Sequence, residues 1–295
     1  MQDRHIDVNA LEVRRSLARS FTGIDPAGHA WRGHIVIGGP VVTVDVVPHG
    51  AQPPYVHAWA DVVDAPRCDG LVARTLAVEA SELVLGRFAW RDGMIRIEHS
   101  ILAGTTMAAV EVQATVWAVG WGAEAFSPRL RSLLAERTPP PPPPETPAAR
   151  LRDAADHVRL TTERVHYLLD SDYGGFQEHP DWGFHASFGS AHVFVDVLPV
   201  LDDSTAVRAS APVVSDVDLT DELALHLLEL SSREPFGSFL YLPARREVWF
   251  QHVILGDDLD KVEFDAVVDL VSSIADQTDD DLVAQFGGRR YADLG

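Results

Sequence analysis

The sequence has 295 residues, of which 46% are hydrophobic and 23% charged, so it can bury a core and is not disordered overall. Its formal net charge of −20 disfavours a surface for nucleic-acid phosphates. The single cysteine, Cys68, excludes an intrachain disulfide. No apolar run is long enough to span a membrane, and the first twenty residues lack the apolar core of a signal peptide. We therefore expect a cytoplasmic protein that binds neither nucleic acid nor membrane.

The charge is divided unevenly along the chain. Residues 1–137 carry 13 arginines against 15 acidic residues, a net charge of −2. Residues 138–295 carry 11 basic against 29 acidic residues, a net charge of −18. This acidic second half can serve solubility alone, or it can present an acidic face to a basic partner.

The chain contains the same unit twice, at an offset of 151 residues. Without a gap, WRGHIVIGGPVVTVDVVP (31–48) matches WGFHASFGSAHVFVDVLP (182–199), and 13 of the 33 positions from 31 to 63 are identical. Chance would give about two identities, so the repeat predicts two whole domains and not a solenoid. Trp31 and Trp182 match, which predicts that each contributes to the core of its unit.

The elements of the first unit follow from the repeat. Its opening helix is predicted to begin at a cap formed by Asn9 and Glu12. Three strands, a middle helix, two strands and a final helix follow, and the pattern of the middle helix is degenerate. The stretch Thr138–Pro147, TPPPPPPETP, then favours an extended polyproline II rod of roughly 30 Å, because proline lacks the N–H and fixes φ. We expect domains at 1–137 and 148–295, joined by this linker at 138–147.

The second unit has the clearer pattern. Thr146 and Pro147 predict the start of its opening helix, and Gly174 and Gly175 predict its end. The later elements are predicted as strands at 182–188, 192–198 and 206–214, a helix at 220–230, strands at 237–242 and 247–255, and a final helix capped by Asp260 and Glu263. A separate last turn is predicted at 280–286. The class is α+β, with one antiparallel sheet per unit and helices packed against it in the order α-βββ-α-ββ-α.

This order of elements resembles the type III secretion chaperone-like fold. Within that fold the chain looks like the YbjN family, particularly its actinobacterial members, through APVV (211–214), LTDELALHLLELSS (219–232), GSFLY (237–241) and VWFQHVILGDDLD (248–260). The resemblance covers both units, and the second fits better. It implies a non-enzymatic, protein-handling role, because relatives with this fold form dimers and hold extended segments of a client. Two copies on one chain therefore predict an internal pseudo-dimer.

Two pairs of matched histidines are the candidates for chemistry: His34 with His185, and His99 with His252. A histidine pair can bind a metal or move a proton. His99 and His252, however, lie on apolar strand faces, and no further ligand stands at zinc-like spacing. We expect core histidines and no catalytic, metal or cofactor site.

Acidic residues are candidates for simpler roles. Asp45 and Asp196 lie opposite valines on a central strand and are predicted to be solvated or to cap a turn. The segment GDDLDKVEF (256–264) lacks the glycine that a calcium loop requires at its sixth position, so we interpret it as the start of a helix.

The candidate partner-binding residues lie in both units. Trp117 and Trp121 stand four apart on the last helix of the first unit, which predicts an apolar face that is buried against another surface. The acidic candidates are Asp257, Asp258, Asp279 and Asp280. We expect the nearly neutral first unit to dock and the acidic second unit to face a protein client, which would be basic.

Three functions fit these patterns. The favoured one is a non-enzymatic protein-binding chaperone or regulatory adaptor, because the two units share no polar constellation except histidines of core type. The alternative is a small-ligand sensor with a pocket between the sheet and the C-terminal helix. An enzyme that uses His99 and His252 with nearby carboxylates is the third.

Overall fold

The computed structural model describes residues 2–21, 32–49, 52–102, 109–136, 155–173, 176–179, 183–200 and 204–294. The predicted linker at 138–147 therefore lies outside the described residues, as do Trp31, Trp182, Thr146, Pro147 and the glycines at 174 and 175. None of the described helices is long and apolar enough to cross a membrane.

The described residues of the first repeat form three helices and five strands. In chain order they are α1 (Gln2–Ser20), β1 (Arg32–Val36), β2 (Val41–His49), β3 (Gln52–Asp64), α2 (Gly70–Glu79), β4 (Arg87–Arg91), β5 (Met94–Leu102) and α3 (Ala109–Glu136). A short 3₁₀ helix, Ala80–Glu82, follows α2.

The second repeat has the same order with additions. Its elements are α4 (Ala155–Tyr173), β6 (Gln177–His179), β7 (Gly183–Phe188), β8 (Ala191–Pro199), β9 (Thr205–Ser215), α5 (Asp221–Arg233), β10 (Ser238–Leu242), β11 (Glu247–Leu255), α6 (Lys261–Phe286) and β12 (Arg289–Arg290). A 3₁₀ turn, Tyr291–Leu294, follows β12. The predicted α+β class and the order α-βββ-α-ββ-α are confirmed, and β6 and β12 are the additions.

The chain folds into two compact structural units, and their boundaries differ from those of the two sequence repeats. The first consists of Met1–Cys68 and Leu85–Pro140, and the second of Asp69–Val84 and Pro141–Gly295. Helix α2 thus comes from the first repeat and packs in the second unit. The limits predicted for the two domains describe the repeat, and they stay a prediction.

The sheet of the first unit is antiparallel, with strand order β1-β2-β3-β5-β4. Helix α3 packs on one face of it, where the rings of Phe88 and Phe126 lie 5.1 Å apart, edge to face. Alternation along the strands places apolar side chains on this face and polar ones on the other. The buried side chains of the apolar face include Val42, Val44, Val56, Ala58, Ala60, Ile97 and Ile101.

The sheet of the second unit has seven strands, with the path β10-β11-β9-β8-β7-β6 and β12 paired to β9. Helices α4 and α6 cover one face, as the continuous cluster of buried side chains shows. The members from the helices include Val165, Leu168, Leu169, Val267, Val268 and Val271, and those from the strands include Val193, Val195, Val207, Ala209 and Phe250.

Helix α2 and helix α5 begin at equivalent positions of the two repeats. Asp69 accepts a hydrogen bond from the Val72 N–H at 3.2 Å, and Thr220 accepts one from the Leu223 N–H at 3.1 Å. Asp69 and Thr220 are N-caps 151 residues apart, the offset of the repeat. The middle helix of the first repeat, which the sequence pattern left degenerate, is therefore present and capped.

Within the second unit, α2 packs along α5 and against β10. Ala77 of α2 joins the buried core of that unit. The 3₁₀ helix after α2 is held by the Gln251 side chain, which donates to the Ala80 carbonyl oxygen at 3.3 Å. These contacts make α2 an integral part of the second unit.

Two predicted helix ends are wrong. Helix α1 begins at Gln2, so Asn9 lies inside it and cannot be its cap, because the helical pattern extends further towards the N-terminus than the cap signal indicated. Helix α6 runs without a break to Phe286, so the separate turn predicted at 280–286 is its last part. Its start is as predicted, since Asp260 accepts a hydrogen bond from the Glu263 N–H at 2.9 Å.

Candidate functional site

The four acidic candidates fall at two separate places in the second unit. Asp257 and Asp258 precede α6, whereas Asp279 and Asp280 lie in its later half. A rise of about 1.5 Å per residue puts roughly 27 Å between Lys261 and Asp279. The structure therefore does not bring these carboxylates into one site.

The acidic loop before α6 contains one carboxylate that is hydrogen-bonded within the protein and one that is exposed. Asp257 accepts hydrogen bonds from the N–H of Thr205 at 3.2 Å and from its hydroxyl at 3.3 Å, which ties the loop to β9. Asp258 is exposed and has a positive φ of 58°. The prediction that this segment starts a helix is confirmed by the cap at Asp260.

The second acidic pair, Asp279 and Asp280, also consists of one buried and one exposed residue. Asp279 is buried, and its carboxylate accepts a hydrogen bond from the N–H of Asp280. Burial raises the pKa of the Asp279 carboxyl. Asp280 is exposed and accepts a hydrogen bond from Arg290 at 3.2 Å. Of this pair, Asp280 is the carboxylate that a partner can reach.

Trp117 and Trp121 pack against each other on α3, with ring centroids 4.9 Å apart. Trp117 also contacts Phe21, which follows α1, at 5.4 Å. Both tryptophans are half-buried. Their role in docking stays a prediction.

His99 and His252 are buried, as predicted, each with 6% of its surface exposed. His99 lies on the α3 side of its sheet, opposite Ala58 on β3. Burial is the main cause that lowers the pKa of His99, to about 3. His252 has the ring of Phe236 at 5.7 Å. The two matched histidines are thus core residues.

The other matched pair, His34 and His185, has different surroundings in the two units. His34 is exposed, and its Nδ1 lies 3.1 Å from the Thr43 hydroxyl. His185 lies 3.0 Å from His192, measured between Nε2 and Nδ1, and stacks on Phe194 at 4.7 Å. His185 and His192 could together offer a metal two ligands, and in the described ranges no cluster of three metal-ligating side chains occurs.

The prediction that Asp196 is solvated or caps a turn is wrong. Asp196 on β8 lies opposite Arg208 on β9, and the guanidinium donates to both carboxylate oxygens, at 2.9 and 2.7 Å. In the first unit the equivalent carboxylate, Asp45, lies opposite His57. The cross-strand partner was missed because it lies on another strand at no fixed sequence spacing.

A charged cluster occupies the polar face of the sheet in the first unit. Glu98 is 1% exposed and accepts hydrogen bonds from Arg87 at 3.2 Å and from Arg91 at 2.9 Å. His57 lies beside it, 4.0 Å from the carboxylate, and donates to or accepts from Ser100 at 2.9 Å. Burial, aided by the two arginines, lowers the pKa of His57 to about 4 although Glu98 opposes the shift. The cluster thus holds one carboxylate between two guanidinium groups, and we describe it as a structural network.

The C-terminal segment forms contacts that the sequence analysis missed. Arg289 pairs with Ser215 and Arg290 with Val214 in an antiparallel ladder. The Arg289 Nε donates to Asp216 at 3.0 Å. The sequence signal was the dipeptide Arg289-Arg290 after two glycines, in a half of the chain that is otherwise strongly acidic.

Comparison with known proteins gives one family. The family model TY-Chap1, described as "T3SS (YopN, CesT) and YbjN peptide-binding chaperone 1", matches residues 155–294. Among curated proteins the comparison found no match to the chain. The matched range contains α4, the seven-stranded sheet, α5 and α6, and it includes all four segments that carried the resemblance in the sequence, at 211–214, 219–232, 237–241 and 248–260. Residues 155–294 of this chain are therefore similar to the family of type III secretion and YbjN chaperones.

Proposed function

We propose that the protein is a non-catalytic, peptide-binding chaperone or regulatory adaptor that holds extended segments of a client. The single observation that carries this is the match of residues 155–294 to a family of peptide-binding chaperones. The match coincides with a complete α-βββ-α-ββ-α arrangement, so the fold that defines such a domain is present in full.

The client is expected to be basic. The second half of the chain carries a net charge of −18, and Asp258 and Asp280 are exposed on it. Surface charge of one sign steers an oppositely charged partner and speeds its association, and salt weakens the attraction. Trp117 and Trp121 of the first unit are proposed as an apolar contact for docking.

The test compares an unfolded and a folded form of one basic protein. Reduced lysozyme with its thiols blocked by iodoacetamide keeps its positive charge and is extended, whereas native lysozyme carries the same charges on a compact fold. Binding of the labelled proteins is measured by fluorescence anisotropy. Binding of the unfolded form alone supports the proposal. Equal binding of both forms indicates charge attraction only, and binding of neither overturns the proposal.

A matched probe separates charge from extension. Reduced α-lactalbumin with the same blocked thiols is unfolded but acidic. If it binds as well as unfolded lysozyme, the protein recognises extended chains without a preference for basic ones, and the basic-client part of the proposal is wrong. Affinity capture from an extract, followed by mass spectrometry, would then identify the client.

The two repeats are proposed to act as an internal pseudo-dimer. What supports this is helix α2, which belongs to the first repeat but packs against α5 in the second unit. Light scattering should give a molar mass in solution near the 32.3 kDa of one chain. A stable mass of twice that value would favour pairing between chains. The small-ligand sensor stays a prediction, which a thermal-shift screen against metabolites tests.

A further inference from the structure

We propose that the end of β9, together with Asp216 and Asp280, is a binding site for an extended segment with two adjacent arginines, and that residues 287–294 occupy it as an internal ligand. The inference rests on the proposed peptide-binding function. It gives that function a location and a ligand chemistry.

The backbone of β9 provides the first part of the site. On one side β8 pairs with β9 only as far as Phe194 opposite Ser210, and β12 pairs further along, at Ser215 and Val214. β11 occupies the other side of β9 up to Val214. The strand thus offers backbone groups to an extended chain beyond the end of β8, which is the geometry of recognition by strand addition.

The backbone of the C-terminal segment comes close to β9 at Gly288, and this sets a requirement on the ligand. Gly288 has a φ of +87°, and a Cβ at that position would lie 2.7 Å from the Ser215 carbonyl oxygen and 2.8 Å from Cγ1 of Val214. A side chain there would strain the backbone and crowd β9. The site therefore selects a glycine immediately before the first arginine.

The two carboxylates supply the second part of the site. Arg289 donates to Asp216 through Nε at 3.0 Å and also through Nη2. This hydrogen bond is the main cause that lowers the pKa of Asp216. Arg290 donates to Asp280 at 3.2 Å through Nη1, and its Nε and Nη2 donate to Asp293 of the same segment, each at 3.0 Å. Neighbouring arginines on an extended chain point to opposite sides, and here each one meets an aspartate.

The segment is held loosely enough to be exchanged. No residue of the turn Tyr291–Leu294 is buried. The side chains of Arg289 and Asp216 are 60% and 50% exposed, and those of Arg290 and Asp280 are 39% and 79% exposed. Such exposed ion pairs are weak and are screened by salt. The ring of Tyr291 rests edge-on against His192 at 5.4 Å. The segment can leave without opening the core, so a client with the same pattern can replace it.

The test uses a labelled peptide with the sequence FGGRRYADLG, which is that of residues 286–295. Its binding to the full chain is compared with binding to the full-length double variant Arg289→Ala/Arg290→Ala, in which the internal ligand is weakened. A tethered segment competes at an effective concentration in the millimolar range, so we expect the double variant to bind the peptide at least about tenfold more tightly than the wild type. A peptide with alanines at both arginines should not bind.

The acidic partner is tested in the same background. Asp216→Asn preserves the side-chain shape, and asparagine tolerates the positive φ of 56° found there. Added to the double variant, it should reduce peptide binding at least about fivefold. Asp170→Asn, at an exposed position of α4, is the matched control and should leave the affinity unchanged.

A second measurement does not depend on an added peptide. Hydrogen exchange of the C-terminal segment, read by mass spectrometry, should become faster in full-length Asp216→Asn and stay unchanged in Asp170→Asn. Equal peptide binding by wild type and double variant, together with unchanged exchange, overturns this site. If unfolded lysozyme still binds in that case, the proposed function stands and only its location here is wrong.

Discussion

The backbone of Gly70 lies against the side chain of Asp221, and the two residues occupy the same position in the two repeats, 151 residues apart. Each is the first residue of its helix. A Cβ on Gly70 would overlap the Asp221 carboxylate, which also pairs with Arg74. Helix α2 thus fits beside α5 because the first repeat has glycine where the second has aspartate.

Gly70→Ala should therefore destabilise the protein. Alanine usually favours a helix over glycine by about 1 kcal/mol, but here the added methyl group must displace Asp221. We expect the free energy of unfolding in urea to fall by about 1–3 kcal/mol, the usual cost of overpacking. Gly39→Ala is the control, since a Cβ there has no atom within 4 Å and should change stability by less than about 0.5 kcal/mol.

A double variant shows whether the contact itself is responsible. In Gly70→Ala/Asp221→Ala the overlapping carboxylate is gone, so most of the lost stability should return. Asp221→Ala alone removes an exposed ion pair and should cost less than about 1 kcal/mol. If Gly70→Ala is as stable as the wild type, α2 does not pack against α5 in this way.

The strands were predictable from the sequence because their period and their turn residues are local signals. β11 has the predicted bounds, and the limits of β7, β8 and β9 are within one residue of those predicted. The additions β6 and β12 could not be predicted, because a strand of two or three residues has no period and depends on the strand it pairs with. The helical pattern of α2 was hard to recognise in the sequence because the second unit also buries Thr75 and Glu79. The helix therefore lacks the usual division into a polar and an apolar face.

The candidate site was predictable only in part, for a related reason. The burial of His99 and His252 followed from apolar alternation along their own strands. The partners of Asp196 and Asp216 lie on other elements, at Arg208 and Arg289, and pairing across 12 and 73 residues has no sequence signature. The net charge of the second half therefore predicted an acidic face, but it did not show which carboxylates form ion pairs within the protein.

The ion pair between Asp196 and Arg208 should contribute measurably to stability. Their side chains are only 18% and 23% exposed, and the guanidinium makes two hydrogen bonds to the carboxylate. A double-mutant cycle with Asp196→Ala and Arg208→Ala should give a coupling free energy of about 1–2 kcal/mol in urea unfolding. The control is the exposed pair Arg159 and Glu163 on α4, where we expect about 0.3–0.5 kcal/mol. Equal coupling in the two pairs would contradict a role for burial.

Two histidines, the buried His99 and the partly buried His57, should make the protein less stable in mild acid. The pKa values of His57 and His99 are lowered, mainly by burial, to about 4 and about 3 in the folded protein. Both imidazoles protonate near pH 6.5 in the unfolded chain. Between these values the unfolded state binds more protons, so the free energy of unfolding is highest above pH 6.5 and falls as the pH is lowered. Each histidine adds a slope of up to about 1.4 kcal/mol per pH unit.

His99→Gln isolates this effect from the titration of carboxylates. The variant should be less stable at pH 7, yet its unfolding free energy should fall less steeply between pH 6.5 and 4.5 than that of the wild type. The readout is the slope from urea unfolding at several pH values. His34→Gln, an exposed substitution in the same sheet, controls for the loss of an imidazole as such. Parallel curves for His99→Gln and wild type would mean that His99 is accessible to protons in the folded state.

Substitution of the neighbours Asp257 and Asp258 should affect stability differently. Asp257→Ala removes the acceptor for the N–H and hydroxyl of Thr205, which is fully buried, and should lower the free energy of unfolding by about 1–2 kcal/mol. Asp258→Gly should raise it by several tenths of a kcal/mol or leave it unchanged, since glycine relieves the positive φ of 58° at an exposed position. Because Asp257→Ala disturbs the fold, only Asp258→Gly tests client binding by this loop. Weaker binding of unfolded lysozyme by Asp258→Gly at unchanged stability would place the loop on the client-facing surface, and unchanged binding would remove it from that surface.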